Sequence, residues 1–172
     1  SIFKRKLKGK HIITHVTFRL KKIPEFKLDY GNLKEGLKRF ENVDLKSIRQ
    51  SVINIRNSKL PKPEELGNSG SFFKNPVVHS DKAKKINEEY LEMPSYKISD
   101  EEVKIPAGWL IESAGWKGKR IGDAGVHERQ ALVLINYGNA SGEEIINLAT
   151  QIKSSVKKQF DKDKEYGYKH LV

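Results

Sequence analysis

The run ALVLINY, residues 131–137, constrains the fold more than any other stretch of this chain. It is apolar without interruption instead of alternating with polar residues, which is the mark of a buried strand. Gly138-Asn139 turns the chain, and Ser141 with Glu144 makes a capping box that opens a helix. Ile145, Leu148, Ala149, Ile152, Val156 and Phe160 then mark one face of that long helix.

Upstream the period changes several times. HIITHVTFRL, residues 11–20, places Ile12, Val16, Phe18 and Leu20 on one parity and His11, His15, Thr17 and Arg19 on the other, the pattern of a half-buried strand. His11 and His15 lack a third metal ligand nearby, so they read as a polar outer face, and no metal site is expected. From Asp44, an N-cap candidate, Leu45, Ile48, Val52 and Ile55 make a helix with one apolar stripe, stopped by Pro61. Arg49 and Arg56 lie on one side of it, with Lys59 just past its end. They are either a wet basic face or a set of cations aimed at phosphates, and the spacing does not choose.

Charge is placed unevenly. Residues 1–60 hold 16 Lys/Arg against 5 Asp/Glu, whereas residues 61–172 hold 17 of each. The break near Leu60-Pro61 predicts two units, 1–60 and 61–172. A formal charge of +11 raises a basic nucleic-acid-binding protein as one reading. Residues 1–60 carry no RNP-like run or zinc spacing, so that reading stands behind the others, and no nucleic-acid partner is expected. The absence of cysteine excludes disulfides and thiolate chemistry. No apolar run is long enough for a membrane span, and these features together fit a cytoplasmic protein with no membrane partner.

GNSGSFFKNPVV, residues 67–78, is the least ordinary segment. Glycines let the backbone turn sharply or approach a ligand closely. Phe72 and Phe73 would anchor the loop, holding Ser71, Lys74 and Asn75 on a stiff support; the plain alternative is a turn entering a strand. Beyond it, Ser80 can cap a helix to about Glu92 with Ala83, Ile86 and Tyr90 as its stripe. A short strand follows at Val103–Ile105. Pro106 fits the first turn of a helix over AGWLIESA that Gly115 terminates. Residues 115–130, rich in glycine and mixed charge, read as a long shaped loop.

Taken in order, Ser1-Ile-Phe-Lys, Tyr30-Gly-Asn-Leu, Ser58-Lys-Leu-Pro, GNSGSFFKNPVV, PAGWLIE and GVHERQALVLIN resemble the C-terminal part of the UDP-N-acetylenolpyruvoylglucosamine reductases. These are flavoenzymes of peptidoglycan precursor synthesis. The resemblance covers nearly all of residues 1–160, and the pair GNSGSFFKNPVV and AGWLIE is highly specific. It implies an α+β fold. Residues 1–60 would end a flavin-binding domain, as a strand and two helices packing on a sheet formed elsewhere. Residues 61–172 would be a substrate-binding domain of a few strands and three helices.

The same resemblance implies FAD and NADPH as the cofactors of the full-length enzyme and UDP-N-acetylglucosamine enolpyruvate as its substrate. The region that carries flavin in the family is absent, so this chain alone is expected to bind none and to be inactive. Ser71 matches the family's proton donor. Lys59 and Asn75 match substrate contacts, and Tyr96, Lys104 and Gln130 match contacts on the UDP side or the substrate. His127, in the same loop as Gln130, takes no role from the resemblance. The chain departs from the family in its tail. Where the family has Leu-Glu-Pro-Glu-Val, with its second Glu catalytic, the first Glu falls on Glu165 and the second on Gly167. That departure keeps open a UDP-sugar-binding module without redox chemistry.

Overall fold

A computed structural model describes residues 2–4, 6–29 and 31–160. The chain divides into two compact units, Ser1–Ser51 and Val52–Val172, and the division falls inside a helix ahead of Pro61.

In the first unit, a short helix α1 (Leu33–Leu37) buries Leu33 and Leu37. The 15-residue helix α2 (Leu45–Lys59) starts here and continues into the second unit. Asp44 caps it as expected. Its Oδ1 accepts the Ser47 amide at 2.7 Å, and the Ser47 hydroxyl accepts the Asp44 amide at 2.8 Å. The buried positions of α2 are Ser47 and Ser51, however, and Leu45 is 62 % exposed. Helical period was legible in the apolar stripe, but that stripe is not the covered face.

The expected strand over residues 11–20 does not form. Those residues carry no ladder hydrogen bonds to any described strand, and Ile12 is 92 % exposed. Alternation specifies a face, but a strand also needs a neighbour to take its amides and carbonyls, and the first unit contains no sheet among the described residues.

The second unit is α+β. Its first sheet has four antiparallel strands in the order β1 (Gly67–Ser71), β7 (Val133–Asn136), β6 (Ala124–Val126), β5 (Arg120–Ile121). Its second has three, in the order β2 (Val77–His79), β4 (Glu102–Lys104), β3 (Tyr96–Lys97). Helices α3 (Ser80–Glu89), α4 (Ala107–Ser113) and α5 (Gly142–Phe160) complete it. The core joins Leu148, Ile152 and Val156 of α5 to Ala124, Val126 and Leu134 of the first sheet and to Leu110 and Ile111 of α4. Val133 and Ile135, also fully buried, alternate with Leu134 and so belong to the opposite face. The central strand is therefore covered on both sides, as its unbroken apolar run requires.

Two local expectations are corrected. The cap of α3 is His79, whose Nδ1 accepts the Asp81 amide, and Ser80 is already helical. The stretch 115–130 contains the β5–β6 hairpin, closed by Gly122-Asp123 with Gly122 at φ +58°. Glycine, with no Cβ, adopts that angle without strain. The capping box of α5 is present. The Ser141 hydroxyl accepts the Glu144 amide at 3.2 Å, and Glu144 Oε2 accepts the Ser141 amide at 2.8 Å.

Candidate functional site

The glycine-rich segment forms an irregular edge strand. Between Asn68, which faces Ile135, and Ser71, which faces Val133, β1 advances one residue more than β7, so the segment is bulged. Gly70, at φ +73°, supplies the turn. The Asn68 side chain braces it on three sides. Its Oδ1 accepts the Gly70 amide at 3.1 Å, and its Nδ2 donates to the carbonyls of Leu66 at 2.9 Å and Pro61 at 3.3 Å. Immediately after the bulge the Phe72 amide donates to the Leu132 carbonyl at 2.8 Å, and Phe73 is buried. Ser71 is thus an exposed hydroxyl between a braced bulge and two anchored aromatic rings, whose centroids lie 5.3 Å apart.

Asn75 links this segment to α4. Its Oδ1 accepts the amide of Ala107 at 2.9 Å. Helix starts leave amides without intrahelical partners, and Pro106, at the cap position, has no side-chain group to offer. With the oxygen used in this way, the Asn75 Nδ2 hydrogens are what it has for a ligand. Gln130 reaches the same turn, its Oε1 lying 3.6 Å from the point where a Cβ on Gly108 would stand. Leu132, which holds Phe72, lies 3.5 Å from that point. Asn75 and Gln130 therefore border the start of α4, and Ser71 precedes Asn75 by four residues on the bulged strand.

Lys104 and Tyr96 sit just upstream. They are register partners on β4 and β3, and the Lys104 Nζ lies 5.6 Å from the Tyr96 ring centroid. A cation over an aromatic face is mutually attractive, so each side chain biases the position of the other. Lys59 ends α2 as an exposed side chain, and no described contact ties it to the other candidates. Glu165 and Gly167 lie outside the described residues.

The second unit also carries two clefts. One, of about 330 Å³, runs between α3 and the end of α5 beside Tyr90 and Phe160. The other, of about 400 Å³, is walled by Asn57, Pro61 and Leu66 on one side and by His127, Arg129 and Tyr137 on the other. His127 is the residue the sequence passed over. It is 3 % exposed, and burial, with the nearby Arg129, holds its imidazole below its ordinary pKa. A lone histidine in a glycine-rich loop gives no sign of that burial, because nothing in its neighbours marks it as the continuation of a strand paired with β7. Among the described residues no cluster of side chains is suited to hold a metal ion.

Comparison with known families places these elements. The C-terminal domain of UDP-N-acetylenolpyruvoylglucosamine reductase matches residues 62–165. The chain belongs to this family. A reductase of that name from Flavobacterium johnsoniae is 49% identical over 163 residues, covering 93% of this chain and 48% of the relative. One from Bacteroides fragilis is 45% identical over 163 residues, covering 95% and 49%. The chain thus spans about half the length of the curated relatives it matches. Within the reductase domain, Ser71, Asn75, Tyr96, Lys104 and Gln130 all fall inside the matched residues, whereas Lys59 precedes them.

Proposed function

We propose that this chain is the substrate-binding, C-terminal part of a flavin-dependent, NADPH-using cytoplasmic reductase that converts UDP-N-acetylglucosamine enolpyruvate to UDP-N-acetylmuramate in peptidoglycan precursor synthesis. The observation that carries it is the Asn75–Ala107 hydrogen bond, which brings the two most specific family motifs to one place. The named relatives support the same reading.

Reduced flavin, when bound by the full-length enzyme, supplies the hydride for the enolpyruvyl double bond, and NADPH restores the flavin. No residue of this chain is proposed to hold either. The carbon that gains the electron pair needs a proton, and Ser71 delivers it. A serine hydroxyl is a weak acid, so donation requires a support that fixes its direction, which the braced bulge and buried Phe73 provide. Asn75 donates through Nδ2 and Gln130 through its amide to acceptors on the substrate. Lys104, stacked on Tyr96, faces the anionic UDP portion, and Lys59 faces a diphosphate or carboxylate oxygen.

A second reading, a UDP-sugar-binding module without redox chemistry, is favoured by Gly167, which stands where the family acid is expected. Both readings require nucleotide-sugar binding. Calorimetric titration of the 172-residue chain with UDP-N-acetylglucosamine should give saturable binding that Asn75→Ala and Lys104→Ala each weaken. The chain itself should be colourless and leave NADPH unoxidised when the enolpyruvyl substrate is added. Absence of binding, with the chain folded, would overturn both readings.

A further inference from the structure

The cleft beside His127 belongs to the sheet face opposite α5. Val126 faces Leu134 across the ladder, and the His127 amide donates to the Val133 carbonyl at 2.9 Å, so His127 is directly opposite Val133. Ser71 faces Val133 from the other side. Directly opposed residues share a sheet face, so His127, Val133 and Ser71 form one row across three strands. The connection after α2 crosses this face, held there by the bond from Asn68 to the Pro61 carbonyl, and leaves a cleft of about 400 Å³.

His127 presents a defined group to that cleft. Its Nδ1 accepts the Arg129 amide at 3.3 Å, so the proton of the neutral ring is on Nε2. Among the described residues Nε2 has no hydrogen-bond partner. The ring is 3 % exposed and lines the cleft, and Nε2 is not among the atoms sealed from solvent, so its N–H is open to a group that enters. Arg129 and Lys62 stand at the rim. Their carboxylate neighbours, Glu128 at 3.8 Å and Glu65 at 2.8 Å, are 75% and 68% exposed, and exposed pairs of this kind are readily exchanged for a better-placed anion. Tyr137 makes a fixed wall. The Arg120 guanidinium lies 4.5 Å from its ring centroid, and Gly125 admits the ring so closely that a Cβ there would come within 2.6 Å.

We propose that this cleft binds a small molecule through a carboxylate or phosphate group, with the His127 Nε2–H and the Arg129 guanidinium as its donors. The site is distinct from the set around α4 and does not depend on the reductase reading. Its anion comes either from a nucleotide sugar that extends along the Ser71 face or from a separate small acid.

The test uses the whole 172-residue chain, ¹⁵N-labelled, with sodium phosphate as the probe and sodium chloride at matched ionic strength as the control. The His127 imidazole resonances should shift saturably with phosphate and not with chloride. Arg129→Gln, an exposed position, should weaken that binding roughly tenfold, as loss of one charge-assisted pair predicts. His127→Phe, folded as judged by its backbone spectrum, should abolish the saturable response of neighbouring amides. UDP-N-acetylglucosamine either competes with phosphate, which assigns the anion to the nucleotide sugar, or binds alongside it, which assigns it to a separate acid. Equal shifts with chloride, or full affinity in Arg129→Gln, would overturn the site.

Discussion

Asn75 and Ala107, 32 positions apart, are joined by a 2.9 Å hydrogen bond from the backbone amide of one to the side-chain oxygen of the other. Ala107 is fully buried, so its amide has no water to turn to. Asn75→Ala should therefore destabilise the chain by about 1–3 kcal/mol, the cost of an orphaned buried donor. Asn75→Asp keeps the oxygen and should cost less. Urea denaturation of both variants checks this, and equal losses would show that the bond does not hold α4.

Ser71→Ala separates chemistry from support. The hydroxyl is exposed and forms no side-chain hydrogen bond among the described residues, so the stability of the isolated chain should barely change. In the full-length reductase the same change should slow reoxidation of reduced flavin by the enolpyruvyl substrate by roughly 10²–10⁴-fold. Reduction of flavin by NADPH should continue as before, since it needs no proton at the substrate carbon. Stopped-flow measurement resolves the two steps, and normal reoxidation would remove Ser71 from the chemistry.

Burial lowers the pKa of His127 in the folded chain below the ordinary 6.5. The unfolded chain then binds more protons as pH falls through about that value, so stability should decline there and be fully present above it. Asp44, Asp123 and Glu144 also have lowered pKa values, each through hydrogen bonds to its carboxylate, but their losses begin only near the ordinary carboxylate range. The two windows are separate. Urea midpoints measured from pH 8 downward should show an early decline that His127→Gln removes and a later one that it leaves.

Gly125→Ala should destabilise by about 1–3 kcal/mol, because the added methyl meets the Tyr137 ring at 2.6 Å and the Lys119 carbonyl at 3.1 Å. Tyr137→Leu combined with it should recover part of the loss. Thermal unfolding of the single and double variants measures that coupling.

The elements that were legible in the sequence are those whose partners lie close by in the chain. The capping box of α5 needs only Ser141 and Glu144, and the apolar run of β7 records burial on both faces. The β5–β6 hairpin is not legible because its strands, two and three residues long, are too short to show a period, although Gly122-Asp123 is a two-residue turn signal. Residues 11–20 show the converse, a good alternation with no strand to pair with. For the candidate site, the family motifs supplied the residue types. That Asn75 and Gln130 meet at α4 was invisible, since the contacts span tens of residues and no periodicity records them.

Asn68 is held by donating to two carbonyls while accepting from one amide, a combination that only an uncharged amide side chain supplies. Hydrolysis of that group, the slow ageing to which asparagine is prone in solution, would set a carboxylate against the Leu66 and Pro61 oxygens. A stored preparation would then lose the support beneath Ser71 without any break in the chain. Separation by charge, more than by size, is therefore the purity criterion that matters for this protein.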